Sequence, residues 1–281
     1  MVDRQVTSVG VNGVWAGEQW RLRTPEGTEF WFGQTGDSVQ DVPVFSDDAG
    51  EPCHVAGSLY LSYCQMGYRW NLDKVVDRRG NQIVYRWFDW HANYGRYLNS
   101  AAAGYSVYGL PLSAEYGMSA ASGWVPQARV VFEAGYRCID AGQYPASCEG
   151  TANQWKWPDT PWDRYCPLVD SSCPGRTSPT FWTVNRLHAI TTQVRTGAGG
   201  WDGVGRWEMS YSWPATNDGT APTLWLNAIT PSGLVGGVAA GPVTSFGGVR
   251  APRPCLEVVG GLTCVCDVGG VSEIDMVRGL R

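Results

Sequence analysis

The sequence predicts an all-β fold built mainly of antiparallel strand-turn units, and three observations carry that prediction. Apolar and polar residues alternate with period two in several short runs. Large aromatics recur inside those runs; the chain holds 15 tryptophans and 13 tyrosines, which pack well on a pleated surface. Between the runs lie most of the 36 glycines and 17 prolines, the residues that turns require. With 281 residues and 43% apolar content, the chain can bury one large core or two modest ones.

The first unit is QWRLRTPEGTEFWFG. Trp20, Leu22 and Thr24 share a face, Pro25–Gly27 supplies a turn, and Phe30 and Phe32 return on the next strand. The clearest hairpin is WNLDKVVDRRGNQIVYRWFDW, residues 70–90. Trp70 and Leu72 alternate on its first strand, Asp77–Asn81 turns, and Ile83, Tyr85 and Trp87 alternate on the return. SAAAGYSVYGL, 100–110, reads as a loop entering a strand, a short helix being the weaker alternative because of its glycines. ARVVFEAG (128–135) and RWEMSYSW (206–213) are further strands, the latter with Trp207, Met209, Tyr211 and Trp213 on one predicted buried face. A degenerate echo links LDKVVDRRG at Leu72, LHAITTQV at Leu187 and LNAITPSG at Leu226, which suggests repeated strand-turn units.

Residues 138–178 interrupt this pattern. They hold four of the nine cysteines, are rich in proline and carry few β-branched residues, so they read as a long loop excursion. The first six cysteines fall into three local couples: Cys53 with Cys64, Cys138 with Cys148, and Cys166 with Cys173. Disulfides, free buried thiols and a metal site are the three readings. The short polar or Gly/Pro-rich loops favour disulfides, and the sequence has no paired CxxC and no His/Cys spacing typical of zinc. Cys255, Cys264 and Cys266 crowd the tail and leave an odd count.

Several functions are disfavoured. A formal net charge of -5 leaves no electrostatic footprint for nucleic acid. No apolar run approaches the ~20 residues of a membrane span, and the start lacks the apolar core of a secretory signal. A P-loop, a dinucleotide fingerprint, HExxH, a nucleophile elbow and an EF-hand loop are all absent, so neither a cofactor nor a metal is expected. Only His54, His91 and His188 offer imidazole chemistry. His91 lies near Asp89, as a catalytic pair would, or simply as a strand end beside a partly exposed histidine.

WKWPDTPWDRYC, 155–166, concentrates aromatics and acids. Asp159 and Asp163 could serve glycoside hydrolysis, which needs two carboxyls ~5 to ~9 Å apart across a cleft. Pro158 and Pro161 argue against a helix that would align them. A strut is the better expectation, with Trp157 and Trp162 anchored on a neighbouring sheet and the loops closed by Cys138–Cys148 and Cys166–Cys173. Trp207 and Trp213 are the corresponding anchors on the later strand.

The segments WRLRTPEGTEFWFG, DVPVFSDDAGEPCH, YRWNLDKVVDRRGNQIVYRW, ARVVFEAGYRC, WPDTPWDRYC, SPTFWTVNRLHAITTQV and GTAPTLWLNAITPSGLVGG, in that order, resemble the Rhs/YD-repeat family. The likeness is to the amino-terminal shell region of large secreted or surface proteins of high-GC Gram-positive bacteria, and it spans residues 15–248. Here Gly80 leads to Tyr85 and Trp87, with Asp89 displaced from the family's Tyr-x-Tyr-Asp pattern. The resemblance implies a curved β-shell segment enclosing or presenting a carboxy-terminal effector, often a toxin, with no catalysis of its own. Residues 1–14 would be a poorly defined lead-in and 249–281 a tail of doubtful order outside the family pattern. The implied partners are the rest of a longer polypeptide and its effector domain, in a secreted or cell-surface setting. The alternatives are a carbohydrate-binding or adhesion module contacting a cell-surface glycan, motivated by the tryptophans, and a secreted glycoside hydrolase.

Overall fold

A computed structural model describes residues 2–6, 18–99, 101–139, 148, 151–216, 220–247, 255–256 and 265–266. In chain order the strands are β1 (Val2–Val6), β2 (Glu18–Arg23), β3 (Glu29–Phe32), β4 (Val39–Phe45), β5 (Tyr63–Trp70), β6 (Leu72–Val76), β7 (Gln82–Gly95) and β8 (Ala101–Met118). There follow β9 (Ala128–Tyr136), β10 (Asn185–Arg195), β11 (Trp201–Ser212), β12 (Trp225–Gly233) and four two-residue strands: β13 (Ala239–Ala240), β14 (Thr244–Ser245), β15 (Cys255–Leu256) and β16 (Val265–Cys266). Among the described residues every strand pairing is antiparallel. The fold is all-β, as the alternation predicts.

One open sheet runs β1-β2-β3-β6-β7-β8-β9-β10-β11-β12-β13, with β14 also on β12; β4 and β5 form a separate two-stranded sheet. The turns fall where the sequence places them. Gly27 and Gly80 take φ of 86° and 85° in the β2–β3 and β6–β7 turns, a left-handed conformation that glycine adopts without steric cost. In the second turn the Asp77 carboxylate accepts the backbone N–H groups of Arg79 and Asn81 at 2.8 and 2.9 Å. The three echoed segments open at or lie within β6, β10 and β12.

Two expectations need correction. Trp70 and Leu72 do not share a strand: Trp70 ends β5 in the small sheet, Leu72 opens β6 in the large one, and Asn71 is the switch between them. The Asn71 backbone donates to Ser38 O at 2.7 Å and accepts from Gly33 N at 3.1 Å, which fixes the change of direction. The buried Asp73 carboxylate ties down the same corner, accepting from Thr35 Oγ1 at 2.8 Å and Ser38 Oγ at 2.6 Å. Second, the stretch from Ala101 is strand throughout. It opens the 18-residue β8, which pairs with β7 from Gln82↔Met118 to Gly95↔Ala102. That partner sequesters Ala103, Tyr105 and Val107, so tertiary pairing overrides the weak β propensity of Ala and Gly.

The lead-in contains β1, paired with β2 from Val2↔Leu22 to Val6↔Glu18. Most of the 249–281 tail, with the expectation about its order, lies outside the described residues. Only the pairing of β15 with β16, which sets Cys255 opposite Cys266, is described there.

Candidate functional site

The molecule concentrates its burial around the β7–β8 ribbon, and the loop excursion supplies much of it. The excursion has no strand among its described residues, only short 3-10 turns at Thr151–Lys156 and Trp162–Arg164. Its order comes from side chains. Trp157 and Trp162 are buried, their ring centroids 5.2 Å apart, and Trp162 also meets Tyr165 at 5.2 Å and Trp182 at 5.1 Å. Trp90 of β7 stacks on Tyr165 at 5.3 Å and touches Tyr108 of β8 at 5.1 Å, so the aromatic cluster joins strut to sheet. The arrangement is filled by its own rings, edge to face for the most part, which is how aromatic quadrupoles prefer to meet.

The six paired cysteines form three disulfides, Cys53–Cys64, Cys138–Cys148 and Cys166–Cys173, with Cα–Cα distances of 5.6, 6.3 and 5.8 Å. Asp159 is not available as a catalytic acid in an open cleft. Arg137, just past β9, clasps its carboxylate, with Nε 3.0 Å from both oxygens and a second nitrogen on Oδ2. Asp163 points away to solvent beside Arg164. The two carboxylates therefore do not converge on a common cleft with a free acid and base.

The other anchors fare differently. Trp207 is 39% exposed, which corrects its assignment to a buried face; Met209, two residues on, is the buried one. The ring lies over its own strand, 3.3 Å from the Cβ position that Gly205 lacks. Trp213 is half-buried one residue beyond β11. The other exposed tryptophans among the described residues, Trp124 in the β8–β9 turn and Trp155 in the excursion, sit on different elements from Trp207.

A polar cluster lies between β7–β8 and the small β4–β5 sheet. Ser106 Oγ, fully buried, donates to Asp89 Oδ2 at 2.6 Å and accepts the Asp41 backbone N–H at 2.9 Å. Asp41 Oδ1 is 3.3 Å from the same hydroxyl and accepts from Gln65 Nε2 at 3.0 Å. His91 Nε2 stands 3.3 Å from Asp89 Oδ2 and 3.4 Å from Ser106 Oγ. Burial pushes the Asp89 carboxyl up to about 6, and Asp41 and Asp37 add to the rise; the Ser106 hydrogen bond and His91 oppose it. The three residue types of a nucleophilic triad are present, but their order is wrong. The serine gives its proton to the aspartate rather than to the imidazole, and it has no exposed surface on which a substrate could be attacked. What the cluster does is clip the small sheet to the large one, helped by Tyr68 OH donating to Ser106 O at 3.0 Å. The sequence singled out Asp89 and His91; Ser106 and Asp41 join them only through the pairing of β8 and the docking of β4.

Between β8 and β9 the sheet splays. The two strands pair only from Ser113↔Val131 to Tyr116↔Ala128, and beyond that a cavity of about 370 Å³ opens, lined among others by Leu110, Pro111, Phe132 and Leu187. Its walls carry no convergent acid and base. For metal binding, the described residues bring together Asp47, Asp48 and Glu51, all exposed, and Glu51 is occupied in accepting the Asp48 N–H at 3.2 Å. Among the described residues no helix is long and apolar enough to cross a membrane.

No family model matches the chain, and no curated protein matches it. Among solved structures it is similar to the crystal structure of TcdB2-TccC3, at 14% identity and a TM-score of 0.44, over 88% of this chain and 11% of that one. It is also similar to the N-terminal domain of effector protein SpvB from Salmonella typhimurium strain LT2, at 13% identity and a TM-score of 0.39, over 83% of this chain and 69% of that one. A third likeness is to the Photorhabdus luminescens Tc holotoxin pore, at 16% identity and a TM-score of 0.34, over 82% and 11%. The chain thus spans about a tenth of the length of the TcdB2-TccC3 chain. Likeness at this level bears on neither ligand nor activity.

Proposed function

We propose that the chain is a structural wall segment of a β-shell, belonging to a longer exported polypeptide, that encloses or presents an effector domain and performs no catalysis itself. The observation that carries this reading is the state of β9. It lies inside the sheet between β8 and β10, yet all nine of its residues are only half-buried. An interior strand of an ordinary sandwich buries every second side chain against a second layer. Here no residue of β9 is fully buried, and apart from Tyr136, which meets Trp157 of the excursion, the burial is even along both faces; β12 shows the same pattern up to its last residue. A single-layer wall whose faces meet a lumen on one side and solvent on the other has this burial. The resemblance of residues 15–248 to Rhs/YD-repeat shells points the same way. So do the three local disulfides, which persist in oxidising compartments.

The experiment is to express the longest reading frame that contains this chain and subject the product to limited proteolysis. The reading expects a carboxy-terminal segment protected by the wall and released to cleavage when residues 18–247 are deleted. A product ending at Arg281 that behaves as a free, self-contained monomer overturns it.

A further inference from the structure

The closed end of the β7–β8 ribbon has a construction the wall reading does not require. Its turn, Arg96–Asn99, places Tyr97, Leu98 and Asn99 at φ of 52°, 55° and 67°, three successive side-chain-bearing residues in the left-handed region. Two disulfide loops hold this turn from either side. On one side Arg96 donates to Tyr60 O and lies 4.6 and 3.8 Å from the Tyr60 and Tyr63 ring centroids, and Tyr60 meets Tyr97 edge-on at 5.8 Å. Tyr60 and Tyr63 belong to the Cys53–Cys64 loop. On the other side Asn99 Oδ1 accepts from Cys173 N at 2.8 Å, and its Nδ2 donates to Ser172 Oγ at 3.1 Å.

Three rigidly joined loops thus carry apolar side chains outward. Leu98 and Val169 are each 91% exposed, with Leu59, Leu61, Tyr97 and Leu168 also in solvent. A side chain left almost wholly in water at a turn tip is unlike the partly covered residues of a flat protein interface. Charge is missing as well: residues 55–62 and 97–99 contain none, Arg96 is buried and engaged, and Asp170 is the one ionisable residue of the Cys166–Cys173 loop. Contiguous exposed apolar surface marks contact with a partner or a membrane. The basic neighbours, Arg96 and Arg176, spend their guanidinium groups on the carbonyls of Tyr60 and Asp163. Projecting leucine and valine, backed by tyrosines that favour the bilayer boundary, fit a deformable, uncharged medium.

We propose that this tip is a lipid-docking site, in which Leu98 and Val169 enter the acyl boundary of an electrically neutral bilayer while Tyr60 and Tyr97 rest at headgroup level. Attraction of this kind is hydrophobic, so it is insensitive to salt and gains nothing from anionic lipid.

The test is flotation of the whole chain with phosphatidylcholine vesicles. The wild type is expected to float with the vesicles at low and high salt alike. Leu98→Ser combined with Val169→Ser is expected to lower the partition coefficient at least tenfold. Val235→Ser, which removes a side chain 76% exposed in the turn after β12, is expected to leave it unchanged. Far-UV circular dichroism of each variant, matching the wild type, separates loss of docking from loss of fold. Equal flotation of the double variant, or none by the wild type, overturns the proposal. So does wild-type self-association without vesicles that the double variant abolishes, which would assign the tip to a second copy of the chain.

Discussion

The side-chain amide of Asn93, buried on β7, donates to the carbonyl oxygen of Asp170 at 3.0 Å, 77 residues further along the chain. The same nitrogen lies 3.1 Å from Leu168 O and 3.3 Å from Pro167 O, and the Asn93 backbone N–H donates to Cys166 O at 2.8 Å. One side chain thus satisfies a cluster of loop carbonyls that would otherwise face the strand without donors. Asn93→Ala is expected to destabilise the fold by about 1 to 3 kcal/mol, the cost of leaving buried polar groups unpaired. Asn93→Asp should cost more, since a carboxylate would then face those carbonyls. Urea unfolding followed by tryptophan fluorescence measures both.

The disulfides enclose short loops, with sequence separations of 11, 10 and 7. Closing loops of this size restricts the unfolded chain and contributes about 2 to 3 kcal/mol each. Replacing Cys166 and Cys173 together by serine should lower stability by that amount and loosen the loop that Asn93 and Asn99 hold. Non-reducing peptide mapping tests the linkage, and detection of free thiols at these two positions would refute it.

Trp162 and Trp207 should respond oppositely to truncation. Trp162 meets Trp157, Tyr165 and Trp182 in the interior, so Trp162→Ala is expected to cost about 3 to 5 kcal/mol. Trp207 is half in solvent, and Trp207→Ala should change stability by about 0.5 kcal/mol or less. Equal losses at the two sites would mean that β11 is covered after all.

Asp89 predicts a pH dependence with a definite sign. Its carboxyl titrates at about 6 in the folded chain against 3.8 as the reference value, so the native state holds a proton that the unfolded state releases. Stability from this group is therefore full below about 4 and lost as the pH rises through about 6. The groups that face it are His91 on its own strand, Ser106 on β8, Asp41 on β4 and Tyr68 on β5. Asp89→Asn keeps a neutral side chain at every pH, so it should gain on the wild type as the pH rises past 6. Urea midpoints measured across that range decide it; parallel profiles for the two proteins would rule it out.

What the sequence made legible was local. Period-two runs located β2, β3, β6, β7, β9 and β11, the leucine echo pointed to β10 and β12, and the spacing of six cysteines anticipated the loops they close. Contacts carried by distant segments were not legible. Nothing in the run from Trp70 to Leu72 marks a change of sheet, because both residues fit one alternation and the switch is made by Asn71 bonding to Gly33 and Ser38. Ala101–Tyr105 is too rich in small residues to announce a strand until β7 lies beside it. Ser106 carries no signal at all, since its role depends on β4 folding across β8. Trp207 departs from its expected burial for the complementary reason: alternation tells which residues share a face, not whether another layer covers it.

The spacing of the three bridges bears on how the chain comes to be made. Six cysteines admit 15 pairings, most of them wrong. In this molecule each of the six bridged cysteines meets its partner within 11 residues, and each couple is complete before the next begins. A chain emerging amino terminus first into an oxidising compartment can therefore close its bridges one after another, choosing each time between only two thiols. Vectorial synthesis alone would supply the connectivity of these six before any of Cys255, Cys264 and Cys266 emerges.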